Sequence, residues 1–168
     1  LEKFGGPELP GSVEVTFEDR FYPKAWGHPK LRNSIVDYYN SRYNSSIAPE
    51  NVMIFAGGRP GIFTVMAFLK KHIKVRIGNI EWPAYLDIMT QTNSDYETVP
   101  FTKENNFHPD NVEYFSRNNL DDETAILSII SNPQNPSGQT RSGEELRELI
   151  EIAEQPGNGI LLDEAYEM

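Results

Sequence analysis

Four short segments carry the residue types from which a ligand site can be built: AGGRPG at 56–61, EWPAY at 81–85, NPQNPSG at 132–138 and DEAY at 163–166. In the first, glycines let the backbone approach a ligand closely. Free N–H groups at a helix start favour an anion there, and Arg59 adds a charged donor. In the second, Trp82 and Tyr85 flank a proline turn and offer rings on which a flat ligand can stack. In the third, two prolines stiffen a turn that would hold Asn135 in one direction. In the fourth, Asp163 follows the apolar Ile160, Leu161 and Leu162. A partly buried carboxylate needs a cationic partner, which could be an Arg, a Lys or the protonated ring nitrogen of a ligand. Tyr166 adds a phenol three residues on. Taken singly, each segment also has a purely structural reading: a glycine turn, a core aromatic pair, a Pro/Asn loop, an internal ion pair.

The elements that must position these residues follow from apolar spacing and turn residues. Residues 1–27 are rich in Gly and Pro and read as an extended arm. Pro29 suits the first turn of a helix whose apolar positions are Leu31, Ile35, Tyr38 and Tyr39. NVMIF at 51–55 reads as a short buried strand, broken by AGGRPG. Ile62, Val65, Met66 and Leu69 then mark an amphipathic helix. IKVRIGN, YETVPF, TAILSII and ILLDEAY are four further strands. TAILSII is apolar throughout and so is expected to be buried on both faces. Helices are expected at WPAYLDIMTQT, at HPDNVEYFSRN and after Ser142, where Ser142 and Glu145 have the spacing of a capping box. The stripe of that last helix is Leu146, Leu149, Ile150 and Ala153. Strand and helix alternate, which predicts an α/β fold of three layers, a mainly parallel sheet flanked by helices, with an extended N-terminal arm. The expected organisation is an arm over 1–27 and a layered domain over 28–168.

Composition removes several function classes. The 168 residues carry a formal net charge of -10, which argues against a nucleic-acid-binding surface. There is no cysteine, so disulfides, cysteine nucleophiles and thiolate metal sites are excluded. No apolar run reaches the length of a membrane span. His28, His72 and His108 show no metal-ligand spacing and are assigned no chemistry. Asn44-Ser45-Ser46 fits a glycosylation triplet and is read as a polar loop. Leu1 and Met168 both read as cuts, so a fragment of a longer protein is expected.

In this order the segments resemble the fold-type I pyridoxal-phosphate enzymes, in particular the class I/II aminotransferases. NPQNPSG is similar to that family's Asn-Pro-x-Asn-Pro-Thr-Gly signature, with Ser137 where Thr is usual. LLDEAY resembles its Asp-Glu-x-Tyr signature, and WPAY its Pro-x-aromatic segment. Gly27, Leu31 and Arg32 match its Gly-x-x-x-Leu-Arg helix. The resemblance implies pyridoxal 5'-phosphate as cofactor, amino acid and 2-oxo acid substrates, a homodimer and a cytoplasmic enzyme of amino acid metabolism and biosynthesis, with no nucleic-acid or membrane partner. It also implies site roles. Asp163 would pair with the pyridine nitrogen, and Tyr166 and Asn135 would donate to the phenolic oxygen. Tyr85 would stack on the ring, and the N–H groups of Gly58 and Arg59 would hold the phosphate. Tyr22 would reach the partner subunit's phosphate. The Gly5-Gly6-Pro7 arm is similar to a family segment near the substrate carboxylate.

Departures from the pattern limit what this chain does by itself. Pro60 removes one N–H donor from the phosphate turn, and Arg59 replaces a smaller polar residue. The family's Schiff-base lysine lies beyond the Asp-Glu-x-Tyr signature. Lys3, Lys24, Lys30, Lys70, Lys71, Lys74 and Lys103 all precede Asp163. The family's substrate-carboxylate arginine also lies beyond it. The chain alone is therefore expected not to transaminate. Three other readings stay open: a pyridoxal-phosphate lyase or synthase of the same fold, the effector domain of a transcription regulator, and an inactive paralogue.

Overall fold

The structure is a computed structural model, and it describes residues 11–12, 14–69, 73–121 and 123–166. The Gly5-Gly6-Pro7 segment and His72 lie outside those residues. By packing, the chain forms two compact units, Leu1–Phe55 and Ala56–Met168. The division falls after the first long helix, whereas the sequence placed its boundary before that helix.

The first unit is built on helix α1, Pro29–Tyr43. His28 caps it: its Nδ1 accepts the Lys30 N–H at 3.2 Å, and Pro29 takes the first helical position. This gives His28 a structural role. Asn44, at φ 50°, ends the helix in the left-handed conformation. The expected stripe of Leu31, Ile35, Tyr38 and Tyr39 is not the buried face. Arg32 and Val36 are buried, while Leu31 and Tyr38 are exposed. Arg32 decides this rotation. Its guanidinium donates to the carbonyls of Val52, at 2.9 Å, and Pro49, and lies over the Trp26 ring. Gly27 has φ 108°, and a Cβ there would run into the Ile54 side chain, so only glycine fits.

The strand expected at 51–55 does not form. Pro49–Asn51 is a 3₁₀ turn, and the chain then runs on irregularly. Ile54 N–H bonds to Trp26 O at 3.0 Å, but a single bond is no ladder. The apolar run NVMIF therefore has no sheet to join among the described residues of its own unit.

The second unit is the layered part. Its helices are α2 (Gly58–Leu69), α3 (Ala84–Thr92) and α4 (Gly143–Ala153), with a 3₁₀ helix at Asn111–Phe115. Its strands are β1 (Ile73–Gly78), β2 (Tyr96–Val99), β3 (Ala125–Ser131) and β4 (Asn158–Asp163). They pair in the order β2-β1-β3-β4, all parallel. Four strands, not five, thus make the sheet among the described residues.

Side-chain alternation along the strands builds both cores. On one face Val75, Ile77, Leu127 and Ile129 meet Ile62 and Met66 of α2 and Tyr85, Ile88 and Met89 of α3. Val65 and Leu69 pack on the same cluster, so the whole predicted stripe of α2 points inward. On the other face Ile126 and Ile130 meet Tyr114 and Phe115 of the 3₁₀ helix and Leu149 and Ala153 of α4. As the unbroken apolar character of β3 predicts, every residue from Ile126 to Ser131 is buried. Within it the polar Ser128 donates to Tyr114 O at 2.6 Å.

The capping box predicted at Ser142 is absent. Ser142 makes no side-chain cap bond. Glu145 turns instead to His108 Nε2 and, at 3.6 Å, to Arg141 Nε. A tertiary contact to His108 outcompetes the local cap, and His108 is accounted for as structure.

Candidate functional site

In a parallel sheet the strand ends open on one side, and ligands collect where the loops leave the carboxyl ends. Here β3 ends at Ser131 and β4 at Asp163, and the register sets these two residues directly side by side. β1 ends at Gly78 and leads through Asn79–Trp82 into α3. Beyond these ends lies a cavity of about 280 Å³. Gly58, Arg59, Trp82, Tyr85, Asn135, Asp163 and Tyr166 line it, together with Ser131 and Ala165. Residues from all four segments singled out in the sequence therefore meet in one space. Tyr22 stands in the N-terminal unit with its side chain fully exposed.

Asp163 is half-buried at the end of β4. Its Oδ2 accepts the Tyr85 hydroxyl at 2.6 Å and its Oδ1 accepts the Ala165 N–H at 3.2 Å. Among the described residues no Lys, Arg or His forms an ion pair with it. A carboxylate held by neutral donors at a cavity wall has capacity for a cation from a ligand.

Tyr85 differs from its expected role. Its ring belongs to the core beside Ile88 and Met89 and has no exposed surface. A ring closed over on both faces cannot stack on a ligand. Burial and the bond to Asp163 together push its phenol far above the ordinary range, so it stays a proton donor to the carboxylate. Of the two rings of this segment, Trp82, half-buried and edge-on to Tyr85 at 5.4 Å, is the one with surface to offer.

The loop after β3 answers why the sequence places two Asn-Pro pairs together. Asn132 is tied to Arg141 in both directions, Nδ2 to O at 3.0 Å and N to Oδ1 at 2.8 Å. Gln134 donates to Ile80 O, and its own Oε1 accepts the Ser137 N–H at 3.0 Å. Gly138 N–H closes back on Gln134 O at 2.7 Å. Both Asn-Pro peptide bonds are cis. Held by the hydrogen bonds of this loop, Asn135 directs Nδ2 to the Tyr166 hydroxyl at 3.2 Å. The Tyr166 oxygen accepts that bond, which leaves its own proton free to donate elsewhere.

At the opposite wall α2 starts at Gly58, preceded by Gly57 at φ 110°. The N–H groups of a helix's first turn have no carbonyl within the helix to bond, so those of Gly58 and Arg59 suit an anion. Pro60 offers none. The Arg59 guanidinium is held by Asp87 at 3.2 Å, both groups being about half exposed.

Two residues that matter to the geometry escaped the sequence reading. Ser131 is buried at the strand end, where its Oγ accepts the Asn135 N–H at 3.1 Å. It also donates to Glu81 Oε2 at 2.5 Å. Glu81 keeps its other oxygen buried and without a partner. Burial pushes its carboxyl up to about 7, against an ordinary 4.5, with the Ser131 bond and Arg141 pulling the other way. The available signals were a hydroxyl closing an apolar run and an acid immediately before Trp-Pro.

The chain is similar to known proteins. An aspartate aminotransferase from Pyrococcus horikoshii is 32% identical over 142 residues, 84% of this chain and 36% of that protein. An LL-diaminopimelate aminotransferase from Chlamydia pneumoniae is 29% identical over 148 residues, 88% of this chain and 34% of that one. Among solved structures, an aspartate aminotransferase from Thermus thermophilus with maleate shares the fold at a TM-score of 0.75 and 24% identity. That match covers 88% of this chain and 38% of its own. The chain thus spans about a third of the length of the relatives it matches. The family pattern described as aminotransferase class I and II matches residues 16–168, and on that match the chain belongs to the class I and II aminotransferases.

Proposed function

We propose that this chain supplies the cofactor-holding part of a pyridoxal-phosphate-dependent aminotransferase that moves an amino group between an amino acid and a 2-oxo acid. One observation carries the reading: Asp163 faces the cavity with neutral hydrogen-bond partners and, among the described residues, no ion-pair partner. A protonated pyridine nitrogen fits that carboxylate. The donors at the other walls suit an oxygen anion and a phosphate, so the residues present fit the cofactor. When bound, pyridoxal phosphate supplies an electron sink for the substrate's α-carbon.

The chain's own residues would then do the following. Asp163 holds the proton on the ring nitrogen, through a charge-assisted bond of about 1.5–3 kcal/mol. Tyr85 keeps Asp163 in place. Asn135 and Tyr166 donate to the ring oxygen and stabilise its anionic form. The N–H groups of Gly58 and Arg59 receive the phosphate at the start of α2. Trp82 covers a ring face in place of Tyr85. In a homodimer, Tyr22 would donate to the partner subunit's phosphate. Among the described residues no lysine lines the cavity. We assign the amine that the reaction requires, and the main clamp on the substrate carboxylate, to the part of the relatives' length that this chain does not span. Among the described residues no helix is long and apolar enough to cross a membrane, and we place the parent enzyme in the cytoplasm, in amino acid biosynthesis.

The test is spectroscopic. Pyridoxal phosphate added to the full-length protein gives an imine absorbance band, and borohydride fixes the cofactor onto one lysine. Absence of both the band and the adduct would overturn the reading.

A further inference from the structure

Asn135 has both ends of its backbone held by side chains of its own loop. Its N–H donates to Ser131 Oγ at 3.1 Å, and its carbonyl accepts from Gln134 Nε2 at 3.2 Å. Both of these side chains are buried, and each is tied in turn to the connection between β1 and α3. Ser131 Oγ donates to Glu81 Oε2 at 2.5 Å, and Gln134 Nε2 donates to Ile80 O. A serine hydroxyl has one hydrogen, and the one directed to Glu81 leaves the Ser131 lone pairs for the Asn135 N–H. Gln134 Oε1 accepts the Ser137 N–H at 3.0 Å. That bond sets which way the Gln134 amide faces, with its nitrogen toward the two carbonyls.

We propose that Ser131 and Gln134 are positioning residues that aim the Asn135 amide at a ligand oxygen, by clamping both ends of its backbone to Ile80 and Glu81. The inference rests on the pyridoxal-phosphate reading of the cavity. Residues 136–138 are exposed, so the hold on Asn135 comes from the buried side of the loop. Every polar side-chain atom of Ser131 and Gln134 has a partner. A buried polar network satisfied in this way holds one geometry. Asn135 Nδ2 carries two hydrogens. The Tyr166 hydroxyl takes one at 3.2 Å, and the other remains for the ring oxygen. The anchor has a second consequence. Ile80 and Glu81 immediately precede Trp82, the aromatic assigned to a ring face. One clamp therefore sets the ring-oxygen donor and the ring-face group relative to each other.

The experiment follows the imine absorbance band of the full-length protein with pyridoxal phosphate as pH is varied. A donor on the ring oxygen competes with the imine proton for its negative charge, so losing the donor raises the pH at which the band titrates. Asn135→Ala sets the scale, with a rise of about 1–2 pH units. Ser131→Ala and Gln134→Ala leave Asn135 in place and loosen its aim, and each should raise the midpoint by about 0.7 pH unit. In an Asn135→Ala background neither change should add to the rise, because both act through Asn135. A folded Ser131→Ala or Gln134→Ala protein that keeps the wild-type midpoint overturns the proposal, and so does a rise that persists without Asn135. A purely structural clamp would lower the unfolding temperature and leave the midpoint unmoved. Should the variants fail to fold, hydrogen exchange in the wild-type apoprotein decides. The Asn135 backbone N–H, bonded to a buried oxygen, should exchange at least about tenfold more slowly than an unstructured amide. Unprotected exchange there overturns the proposal. Wild-type protein with no imine band at any pH overturns the cofactor reading and this inference with it, whereas a normal band with unmoved midpoints overturns the inference alone.

Discussion

The sheet unit and the N-terminal unit contain similar kinds of apolar side chain and treat them differently. Between β1 and α4 a set of large apolar residues closes on itself: Val75, Ile77, Tyr85, Met89, Ile129, Ile130 and Leu149 are 0% exposed. Among the described residues up to Phe55, Val36 is the one hydrophobic side chain that is buried, while Val15, Phe17, Phe21 and Tyr22 are 64–102% exposed. The difference lies in backbone pairing. Parallel strands give each apolar residue a fixed face and a layer of helix to meet. The N-terminal unit has one long helix and no ladder among its described residues, so its rings have no second layer in their own unit. Exposed aromatics of this kind suit contact with another surface, which agrees with the dimer proposed for the parent.

Breaking the comparison begins in the core. Ile77→Ala removes a fully buried side chain between β3 and α3, and should lower unfolding stability by about 2–5 kcal/mol in a urea titration. A loss below about 1 kcal/mol would mean that the sheet unit is not the self-sufficient half.

Glu81 gives the next largest effect. Its folded carboxyl is pushed up to about 7 from 4.5, so the unfolded chain releases its proton first as pH rises. Stability is then unaffected by this group below about pH 4.5 and falls between 4.5 and 7. Above that it levels off, with a total loss bounded by about 3 kcal/mol. Urea midpoints across this window should show that fall in wild type and lose it in Glu81→Gln. An equal slope in both would remove Glu81 as its source.

At the cavity, Asp163→Asn keeps the shape and removes the charge. Pyridoxal phosphate should bind the full-length variant about ten- to a hundredfold more weakly. Tyr22→Phe tests the exposed unit: loss of one hydrogen bond to a partner's phosphate weakens cofactor retention about fivefold in the full-length dimer. Unchanged affinity would count against that assignment. The smallest effect sharpens the contrast from the other side. Phe17→Ala should change the stability of this chain by less than about 0.5 kcal/mol, since the ring is 68% exposed.

Local spacing made much of the sheet unit legible. The stripe of α2, the buried run of β3 and the order of strands and helices follow from periodicities that each element enforces on its own. The failures share a cause. NVMIF has strand composition but finds no partner strand among the described residues. Ser142 and Glu145 have cap spacing, but His108 and Arg141 claim the glutamate. Leu31 and Tyr38 have helical spacing, but Arg32 turns the other face of α1 inward through two carbonyls. In each case a long-range polar contact, or the lack of one, overrode a local preference.

The same division runs through the site. The sequence by itself determined which residue types end the strands, and so that Gly58, Arg59, Asn135, Asp163 and Tyr166 were available for one cavity. It determined this because turn residues and strand ends are local properties of the chain. Tertiary structure alone decided the roles of the aromatic pair and the presence of the acid behind them. Tyr85 lies in the core because α3 packs on β1 and β3, and this brings its hydroxyl rather than its ring to Asp163. Glu81 meets Ser131 across 50 residues of chain. No spacing rule reaches that far, because the register of β3 beside β1 and β4 fixes the encounter.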